Sequence, residues 1–211
     1  PWSGHRRSSE RGRAAQGNRA PPHLGPVRKA RFRPAGRNLV LDAMKSYLLS
    51  ALAPGFAGQQ LSALARLYPP HWLVWEAGVW RPPAQATVAI TREAMSKASG
   101  AEGLAMALLS PDGKPLTLGR APESELPVND ATLSRAHLRL RPTGTSWSVE
   151  EAGSSNGTLI NGRPLRPGLP MLLASGDKLA AGDVTLTFLT LEALYNRVTA
   201  LFVRSSPPGR R

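Results

Sequence analysis

The sequence predicts a mainly β protein: an antiparallel β-sandwich preceded by a small helical segment and followed by a C-terminal helix. The first observation behind this fold class is a series of short apolar or alternating runs between Gly103 and Leu189. Such runs at close, regular spacing are typical of a sandwich or barrel. Seven runs fit this description: 104–109, 116–118, 137–140, 146–150, 158–160, 178–180 and 184–189.

The second observation is that turn-forming residues separate these runs. Gly tolerates positive φ values, and Asn or Asp beside Gly favours tight hairpins, so each such pair marks a reversal of the chain. The turn signals are Pro111-Asp112-Gly113, Thr143-Gly144, Asn156-Gly157, Asn161-Gly162 and Gly176-Asp177.

Helical periodicity is the third observation, and it appears on both sides of the β-rich region. Pro54-Gly55 ends a first predicted helix, and Pro69-Pro70 ends a second one over 57–68. After the last strand, Thr190 is expected to cap a C-terminal helix with one apolar stripe. The first helix is predicted from apolar residues at spacings of three and four: Leu41, Met44, Leu48 and Leu52.

Residues 71–75 are predicted to form a short strand, in a stretch that carries Trp72, Trp75 and Trp80. Large aromatic rings usually pack in protein cores, so we expect these rings to anchor a small subdomain. A binding surface formed by the three rings is the alternative.

The net charge of +13 is concentrated at the two ends of the chain. Residues 1–38 contain ten Lys or Arg and one Glu, and residues 204–211 contain three Arg and no acid. The remaining residues, 39–203, contain 14 basic and 13 acidic side chains. A uniformly basic nucleic-acid-binding fold is therefore not expected. Nucleic-acid binding through the Arg-rich N-terminal tail stays an alternative, and a salt-dependent affinity that disappears on deletion of that tail would support it.

Composition divides the chain into four parts. Residues 1–38 form an Arg- and Pro-rich tail, expected to be disordered because it has too few apolar residues to offset the entropy of ordering. Residues 39–100 form the small helical and Trp-rich segment, 101–203 the sandwich with its C-terminal helix, and 204–211 a second disordered basic tail. The sequence begins with Pro1, so we expect its start to be a fragment, a processed end or a misplaced boundary.

Several kinds of site are excluded or not expected. The chain contains no Cys, which excludes disulfides, Cys-ligated zinc, iron–sulfur clusters and thiol nucleophiles. The four His residues are too scattered for a sequence-local metal site, and no cofactor is expected. No apolar run approaches the roughly 20 residues of a membrane span, so we expect a cytoplasmic protein without a membrane partner. Export by a signal peptide beginning at Met44 stays an alternative.

Three fragments in the β-rich half carry groups that suit a phosphate. Arg120 and Arg135 supply charge-assisted donors, and the Asn156 amide can both donate to and accept from a peptide main chain. All three fragments lie at predicted strand ends or loops, where a rigid sandwich presents binding groups. They are Gly119-Arg120, Ser134-Arg135-Ala136-His137, and Gly153-Ser154-Ser155-Asn156-Gly157-Thr158 followed by Asn161-Gly162.

In this order the fragments resemble the forkhead-associated (FHA) domain, over roughly residues 103–189, which is under half of the chain. The downstream Ser175-Gly176-Asp177-Lys178-Leu179, followed by Gly182, also fits the usual end of that family. The resemblance implies an eleven-stranded β-sandwich whose apical loops bind phosphothreonine peptides.

The resemblance also implies a role for each candidate site residue. Arg120 would contact the phosphate, Ser134 would give it a hydroxyl hydrogen bond, and Arg135 would sit at the adjacent phosphate-facing position. Ser155 and Asn156 would hold the peptide main chain near the phosphorylated residue. Four residues are implied to support the site, the first by bracing a loop and the others by setting loop geometry: His137, Gly119, Gly157 and Asn161.

Two positions depart from the pattern of the family. Glu151-Ala152 stands where the family commonly has Asp-Leu. Thr132 stands where some members carry a basic residue that selects the peptide residue after the phosphothreonine. The sequence preference of the ligand is therefore left open.

Two other functions are alternatives to phosphopeptide recognition. Residues 153–157 fit the Gly-x-Ser-x-Gly pattern of a serine nucleophile, but a strand is predicted to follow and no His occurs after His137. A serine hydrolase is therefore not expected. A structural scaffold module that docks through the Trp-rich segment stays open, and capture of a partner by residues 39–100 alone, insensitive to phosphatase, would favour it.

The sequence therefore predicts a non-enzymatic phosphothreonine-recognition module that acts as a signalling adaptor in a Ser/Thr kinase pathway. Its expected partner is a phosphothreonine-containing protein or peptide, such as a substrate of a Ser/Thr kinase. The high content of Ala, Gly, Pro and Arg fits a GC-rich, bacterial genome.

Overall fold

The computed structural model describes residues 46–78, 81 and 103–205. This part of the chain contains three helices: α1 (Leu49–Phe56), α2 (Leu61–Leu64) and α3 (Leu191–Ser205). None of them is long and apolar enough to cross a bilayer. The strands of the same part are β1 (Ser46–Leu48), β2 (His71–Trp75), β3 (Leu104–Ala107), β4 (Leu116–Gly119), β5 (Leu126–Pro127), β6 (Leu138–Thr143), β7 (Ser146–Glu151), β8 (Thr158–Ile160), β9 (Arg163–Pro164), β10 (Met171–Leu172), β11 (Lys178–Ala181) and β12 (Val184–Thr190).

These strands form two sheets that enclose one core. The larger sheet has the order β1-β3-β2-β12-β11-β8-β9, and the smaller sheet has the order β10-β7-β6-β4-β5. All described pairs are antiparallel except β4 with β5. The predicted fold class, a β-sandwich with a helical segment before it and a helix after it, is confirmed.

The core between the sheets follows from alternating side chains along the strands. In β6, Leu138 and Leu140 are buried, whereas Arg139 and Arg141 are exposed. Burial of one large aliphatic side chain stabilises a protein by about 1.5–3 kcal/mol. Many such residues meet between the sheets, which fixes the strand ends from which the loops emerge. The fully buried members include Leu73, Leu118, Leu138, Leu140, Val149, Leu179 and Leu186.

A second core lies on the outer face of the larger sheet, where the helices cover it. Trp72 and Val74 of β2 point to this side and pack with Phe56 of α1 and Leu194 of α3. Trp75 packs in the core between the sheets, so β2 is buried on both faces. Trp72 and Trp75 are both buried and offer no docking surface. Neither ring can therefore belong to the alternative, a Trp-rich binding surface. Trp80 lies outside the described residues.

The position of β2 corrects the expected division at residue 101. The sequence places 71–75 in a segment before the sandwich, but β2 pairs with β3 on one side and with β12 on the other. The physical reason is that a strand with two apolar faces needs cover on both sides, which sheet and helices supply together.

Local periodicity also misplaces the start of the first helix. Residues 41–45 lie outside the described part, and Ser46–Leu48 is a strand because it pairs with β3. Helix α1 then continues past Pro54 to Phe56. The predicted second helix over 57–68 is reduced to α2. Pairing with a neighbouring strand overrides the weak intrinsic preference of a short segment.

The C-terminal helix begins as the sequence predicts. The Thr190 hydroxyl accepts a hydrogen bond from the Ala193 N–H at 3.3 Å, which is the N-cap interaction. Helix α3 runs to Ser205, past the predicted boundary at 203. The remaining residues, 206–211, and the whole N-terminal tail, 1–38, lie outside the described part.

An ion pair attaches α3 to the larger sheet and gives a first testable prediction. Arg197 Nη1 donates to Glu76 Oε1 at 2.7 Å, its Nη2 donates to Oε2, and the Thr187 hydroxyl also donates to Glu76. Burial would raise the pKa of Glu76, but the hydrogen bonds from Arg197 and Thr187 outweigh it and lower the pKa below 4.5. The stabilisation that ionised Glu76 provides is therefore complete above the pKa of Glu76 in the unfolded chain, and it is lost as pH falls through the pKa of Glu76 in the folded protein.

Glu76→Gln should lower the free energy of unfolding by about 1–3 kcal/mol at pH 7. The difference from the wild type should shrink at pH 3.5, because protonation removes the same interaction from the wild type. Urea unfolding at the two pH values measures both effects. Glu192→Gln replaces an exposed acid in the first turn of α3 and should lower the free energy of unfolding by less than about 1 kcal/mol. An equal effect of Glu76→Gln at both pH values would contradict the prediction.

Candidate functional site

Three loops meet at one end of the sandwich, and we call them the site loops: 120–125, 128–137 and 152–157. They follow β4, precede β6 and follow β7, respectively. Leu138 lies opposite Leu118 of β4 and opposite Glu151 of β7 in the smaller sheet. The strand register therefore brings together all three fragments that the sequence singles out.

Gly119 allows the first two site loops to approach closely. The Arg120 N–H donates to Ser134 O at 2.9 Å, and the Ala121 N–H donates to Arg135 O at 3.2 Å. A Cβ atom on Gly119 would lie 2.1 Å from Arg135 O, far inside van der Waals contact. No side chain fits here, so Gly119 is required by the close approach of two backbones.

The His137 ring joins the second and third site loops from below. The ring is fully buried, its Nδ1 accepts a hydrogen bond from the Ser134 N–H at 3.1 Å, and its Nε2 lies 3.2 Å from Gly157 O. These two contacts fit the neutral tautomer in which Nε2 carries the proton and donates. Burial lowers the pKa of His137, although the contact with Gly157 and the charge of Glu151 oppose this shift.

The neutral His137 gives a second prediction. The folded-state pKa lies below the usual 6.5, so the unfolded chain takes up the proton first. Stability should therefore fall as pH drops below about 6.5 and level off beneath the folded-state pKa. Ring titration by NMR and urea unfolding between pH 5 and 7.5 measure this.

The control for this prediction is His137→Gln. It should reduce the pH slope without removing it, because burial also lowers the pKa of His71. A His137 ring that titrates above 6.5 in the folded protein would contradict the prediction.

Ser134, Ser155 and Asn156 connect the second and third site loops at the surface. The Ser155 N–H donates to Ser134 Oγ at 2.9 Å. The Ser134 hydroxyl is thereby oriented as an acceptor and keeps its own proton for a ligand. Asn156 Nδ2 donates to Thr132 O at 2.7 Å, which uses one of its two N–H groups. The second N–H and the amide oxygen have no partner among the residues that the structure describes, so they are available to a ligand.

The two arginines differ in their surroundings. Arg135 Nη2 forms an ion pair with Glu123 Oε1 at 2.7 Å, and both side chains are well exposed. Arg120 is also exposed, and within the described ranges its side chain has no carboxylate partner. A bound anion would therefore meet Arg120 directly but would compete with Glu123 for Arg135.

Glu151 is a supporting residue whose role the sequence did not indicate. Its buried carboxylate accepts hydrogen bonds from the Gly153 N–H at 2.7 Å and from the Ser154 N–H at 2.9 Å. The Ser154 hydroxyl also donates to it, and accepts from the Gly157 N–H at 3.0 Å. Burial would raise the pKa of Glu151, but these hydrogen bonds lower it. An acid two residues before a Gly-Ser pair is the signal that could have identified this loop anchor.

Asn161 does not lie at the site. It follows β8 at the end away from the site loops and has a φ of +49°, as a tight hairpin turn requires. Its side chain donates to Asp177 Oδ1 at 2.8 Å and accepts from the Lys178 N–H at 2.9 Å. Asn161 therefore shapes the far end of the larger sheet. Gly157, by contrast, lies in the third site loop with a φ of +68°.

A serine hydrolase site does not fit this loop. Residues 153–157 connect two strands, so they lack the strand–turn–helix geometry of a serine nucleophile. The nearby His137 uses both ring nitrogens on backbone groups and is not free to act as a base. Over the ranges that the structure covers, no three His, Asp or Glu side chains are grouped to hold a metal ion.

A cavity of about 680 Å³ lies at the opposite end of the sandwich, beside the turn between β6 and β7. Its lining is mostly apolar and includes His71, Leu108 and Trp147. No Arg or Lys lines it, so the cavity does not suit an anion.

The sequence also matches known proteins. The FHA domain family matches residues 116–182. The glycogen accumulation regulator GarA of Mycolicibacterium smegmatis is 39% identical over 72 residues, which cover 34% of this chain and 44% of that protein. The oxoglutarate dehydrogenase inhibitor of Corynebacterium jeikeium is 35% identical over 78 residues, which cover 37% of this chain and 52% of that protein. The chain thus spans about half the length of these relatives.

Two solved FHA domains align with this chain over most of their own length. The solution structure of an Arabidopsis thaliana FHA domain has 24% identity and a TM-score of 0.41, covering 68% of this chain and 92% of that one. The FHA domain of a Chlamydia trachomatis protein has 21% identity and a TM-score of 0.40, covering 56% of this chain and 96% of that one. The family match over the strands and loops that build the site identifies residues 116–182 of this chain as a forkhead-associated domain.

Proposed function

We propose that this chain recognises phosphothreonine peptides across the three site loops. The observation that carries the proposal is the convergence of three groups: Arg120, whose side chain has no carboxylate partner among the described residues, the oriented Ser134 hydroxyl and the Asn156 amide. His137 and Gly119 hold these groups together from beneath. Such a preformed set loses little conformational entropy when a ligand binds.

The phosphate is captured by charge and by hydrogen bonds. A phosphothreonine carries a charge of about −1.5 to −2 near pH 7 and has three strong acceptor oxygens. Arg120 supplies charge-assisted donors, and Ser134 supplies a neutral O–H donor. Arg135 adds a second cation once the phosphate displaces Glu123 from it.

The peptide main chain is held by the third site loop. Asn156 retains one N–H donor and its amide oxygen, which match the C=O and N–H of an extended peptide. The Ser155 hydroxyl stands beside it on the same exposed loop. Recognition of main chain beside the phosphate requires no particular side chain in the ligand.

The cellular role follows from recognition without catalysis. The chain acts as a non-catalytic signalling adaptor in the cytoplasm, and its partner is a protein phosphorylated by a Ser/Thr kinase. The names of the related proteins, a regulator of glycogen accumulation and an inhibitor of oxoglutarate dehydrogenase, support a regulatory role.

The experiment is a peptide library in phosphorylated and unphosphorylated form, measured against the full chain by fluorescence anisotropy. Phosphothreonine peptides should bind at least about 100-fold more tightly, because the unphosphorylated ligand loses two or more charge-assisted hydrogen bonds. Ser134→Ala should weaken the phosphorylated form about tenfold by removing one donor. Equal binding of both forms would overturn the proposed function.

A further inference from the structure

We propose that one side of the sandwich docks a second partner, an extended apolar segment that carries acidic residues, by adding it as a strand to β10. The surface that would bind it, which we call the edge patch, consists of Arg163, Arg166, Leu169, Met171 and Leu172. None of these residues belongs to the site loops, so the inference goes beyond phosphothreonine recognition and does not depend on it.

The edge patch runs from the edge of one sheet to the edge of the other. Strand β9 is the outermost strand of the larger sheet, and β10 is the outermost strand of the smaller sheet. Residues 165–170 connect these two strands. Leu165, after β9, and Leu173, after β10, are both buried in the core between the sheets. The patch is therefore anchored to both sheets.

Apolar side chains are exposed within four residues of one another in the edge patch. Leu169 is 58% exposed, Met171 38% and Leu172 63%. A cluster of large apolar side chains on a surface is typical of an interaction site, because water contact with each of them is unfavourable. Burial of these side chains against a partner would supply the main driving force for docking.

Strand β10 also leaves backbone groups unpaired at the edge of the smaller sheet. The Leu173 N–H donates to Trp147 O at 2.8 Å, toward β7. Backbone groups alternate in direction along an antiparallel strand, so the N–H and C=O of Leu172 point away from β7. On that side β10 has no neighbouring strand in the described part of the chain. An extended partner can therefore form two backbone hydrogen bonds with Leu172.

The charge of the edge patch favours an acidic partner. Residues 152–176 contain Arg163 and Arg166 but no Asp or Glu. Both arginines are exposed, and neither side chain has a carboxylate partner among the described residues. They are therefore available for ion pairs with Asp or Glu residues that flank the apolar residues of a partner.

The same charge disfavours two other occupants of the edge patch. Pairing of β10 with β10 of a second copy would bring two copies of both arginines to one interface, where like charges repel. The N-terminal tail, residues 1–38, carries ten Lys or Arg and one Glu, so it would also be repelled. Charge and hydrophobicity together favour an acidic, apolar segment of another protein.

The test selects a display library of random dodecapeptides on the full chain, with counter-selection on Leu172→Asp to remove peptides that bind elsewhere. Enriched peptides should alternate aliphatic residues with Asp or Glu. The most enriched peptide, made synthetically, should bind Leu172→Asp at least about tenfold more weakly than the wild type, because a charge replaces apolar surface that docking buries. Amide shift changes in NMR spectra should centre on residues 169–173.

Two further variants sharpen this test. The double variant Arg163→Gln, Arg166→Gln should weaken the selected peptide about 2- to 10-fold, because exposed ion pairs contribute modestly. Leu67→Asp is the matched control: Leu67 is 45% exposed and lies between α2 and β2, and three strands separate β2 from β9 in the larger sheet. It should bind the peptide like the wild type. Thermal unfolding of each variant shows whether the fold is retained.

Each remaining result would overturn the proposal. These results are the absence of peptides whose binding depends on Leu172, enrichment of basic sequences, or a wild-type dimer in sedimentation that Leu172→Asp dissociates, which would assign the edge patch to a second copy. Leu172→Asp should keep its affinity for a phosphothreonine peptide within about twofold, and a larger loss would assign the patch to the site loops. Equal binding of phosphorylated and unphosphorylated peptides by the wild type would overturn the proposed function alone.

Discussion

Arg120→Ala should reduce the affinity for a phosphothreonine peptide by at least about 100-fold while leaving the fold intact. The guanidinium offers a phosphate two charge-assisted hydrogen bonds, each contributing about 1.5–3 kcal/mol, and each 1.4 kcal/mol is a factor of ten in the dissociation constant. The fold should tolerate the change, because the bond that Arg120 donates to a neighbouring loop in the described part of the chain comes from its backbone N–H, which reaches Ser134 O and is kept in the variant. Isothermal titration calorimetry with one phosphopeptide measures the affinity.

Two variants control the Arg120 experiment. Arg120→Lys keeps the charge but loses bidentate geometry, so it should bind with intermediate affinity. Arg163→Ala removes an exposed Arg at the far end of the sandwich and should bind like the wild type. If Arg120→Ala binds within threefold of the wild type at an unchanged melting temperature, Arg120 is not a phosphate ligand.

Gly119→Ala should destabilise the protein by about 3 kcal/mol or more. The new Cβ would lie 2.1 Å from Arg135 O and 2.7 Å from Arg135 C, so the two loop backbones must separate. Separation breaks the hydrogen bonds from the N–H groups of Arg120 and Ala121. Overpacking of a rigid backbone contact typically costs 1–3 kcal/mol, and each lost hydrogen bond adds about 1 kcal/mol.

Urea unfolding measures this effect, and Gly78→Ala is its control. Gly78 has open space where a Cβ would stand and no positive φ, so its substitution should change the free energy of unfolding by less than about 0.5 kcal/mol. A cost below 1 kcal/mol for Gly119→Ala would show that the two site loops are not held as closely as described.

The β-rich half could be predicted because its signals are local. Alternation along β6 and the turn pairs Asn156-Gly157 and Asn161-Gly162 depend only on neighbours in sequence. The N-terminal segment was harder, because pairing with β3 decides that Ser46–Leu48 is a strand. That partner is more than fifty residues away, so no local pattern contains it.

The candidate site also combines residues that local motifs reveal with contacts that only the fold creates. The sequence names Arg120, Ser134 and Asn156, since each belongs to a recognisable motif. It places Asn161 among them, although the register of β8 with β11 carries that residue to the far end. Contacts between residues distant in sequence, such as Arg135 with Glu123, have no counterpart in any motif.

The sequence by itself determined most of the strands of the sandwich, the N-cap at Thr190 and the identity of the phosphate-binding candidates, because periodicity, capping and turn chemistry act between near neighbours. Only the tertiary structure decided that β2 completes the larger sheet and that Glu151 anchors the third loop. Strand pairing also leaves β10 at the open edge of the smaller sheet. The physical reason is that burial, backbone hydrogen bonding and charge pairing are satisfied by whichever groups the folded chain brings together, at any separation in sequence.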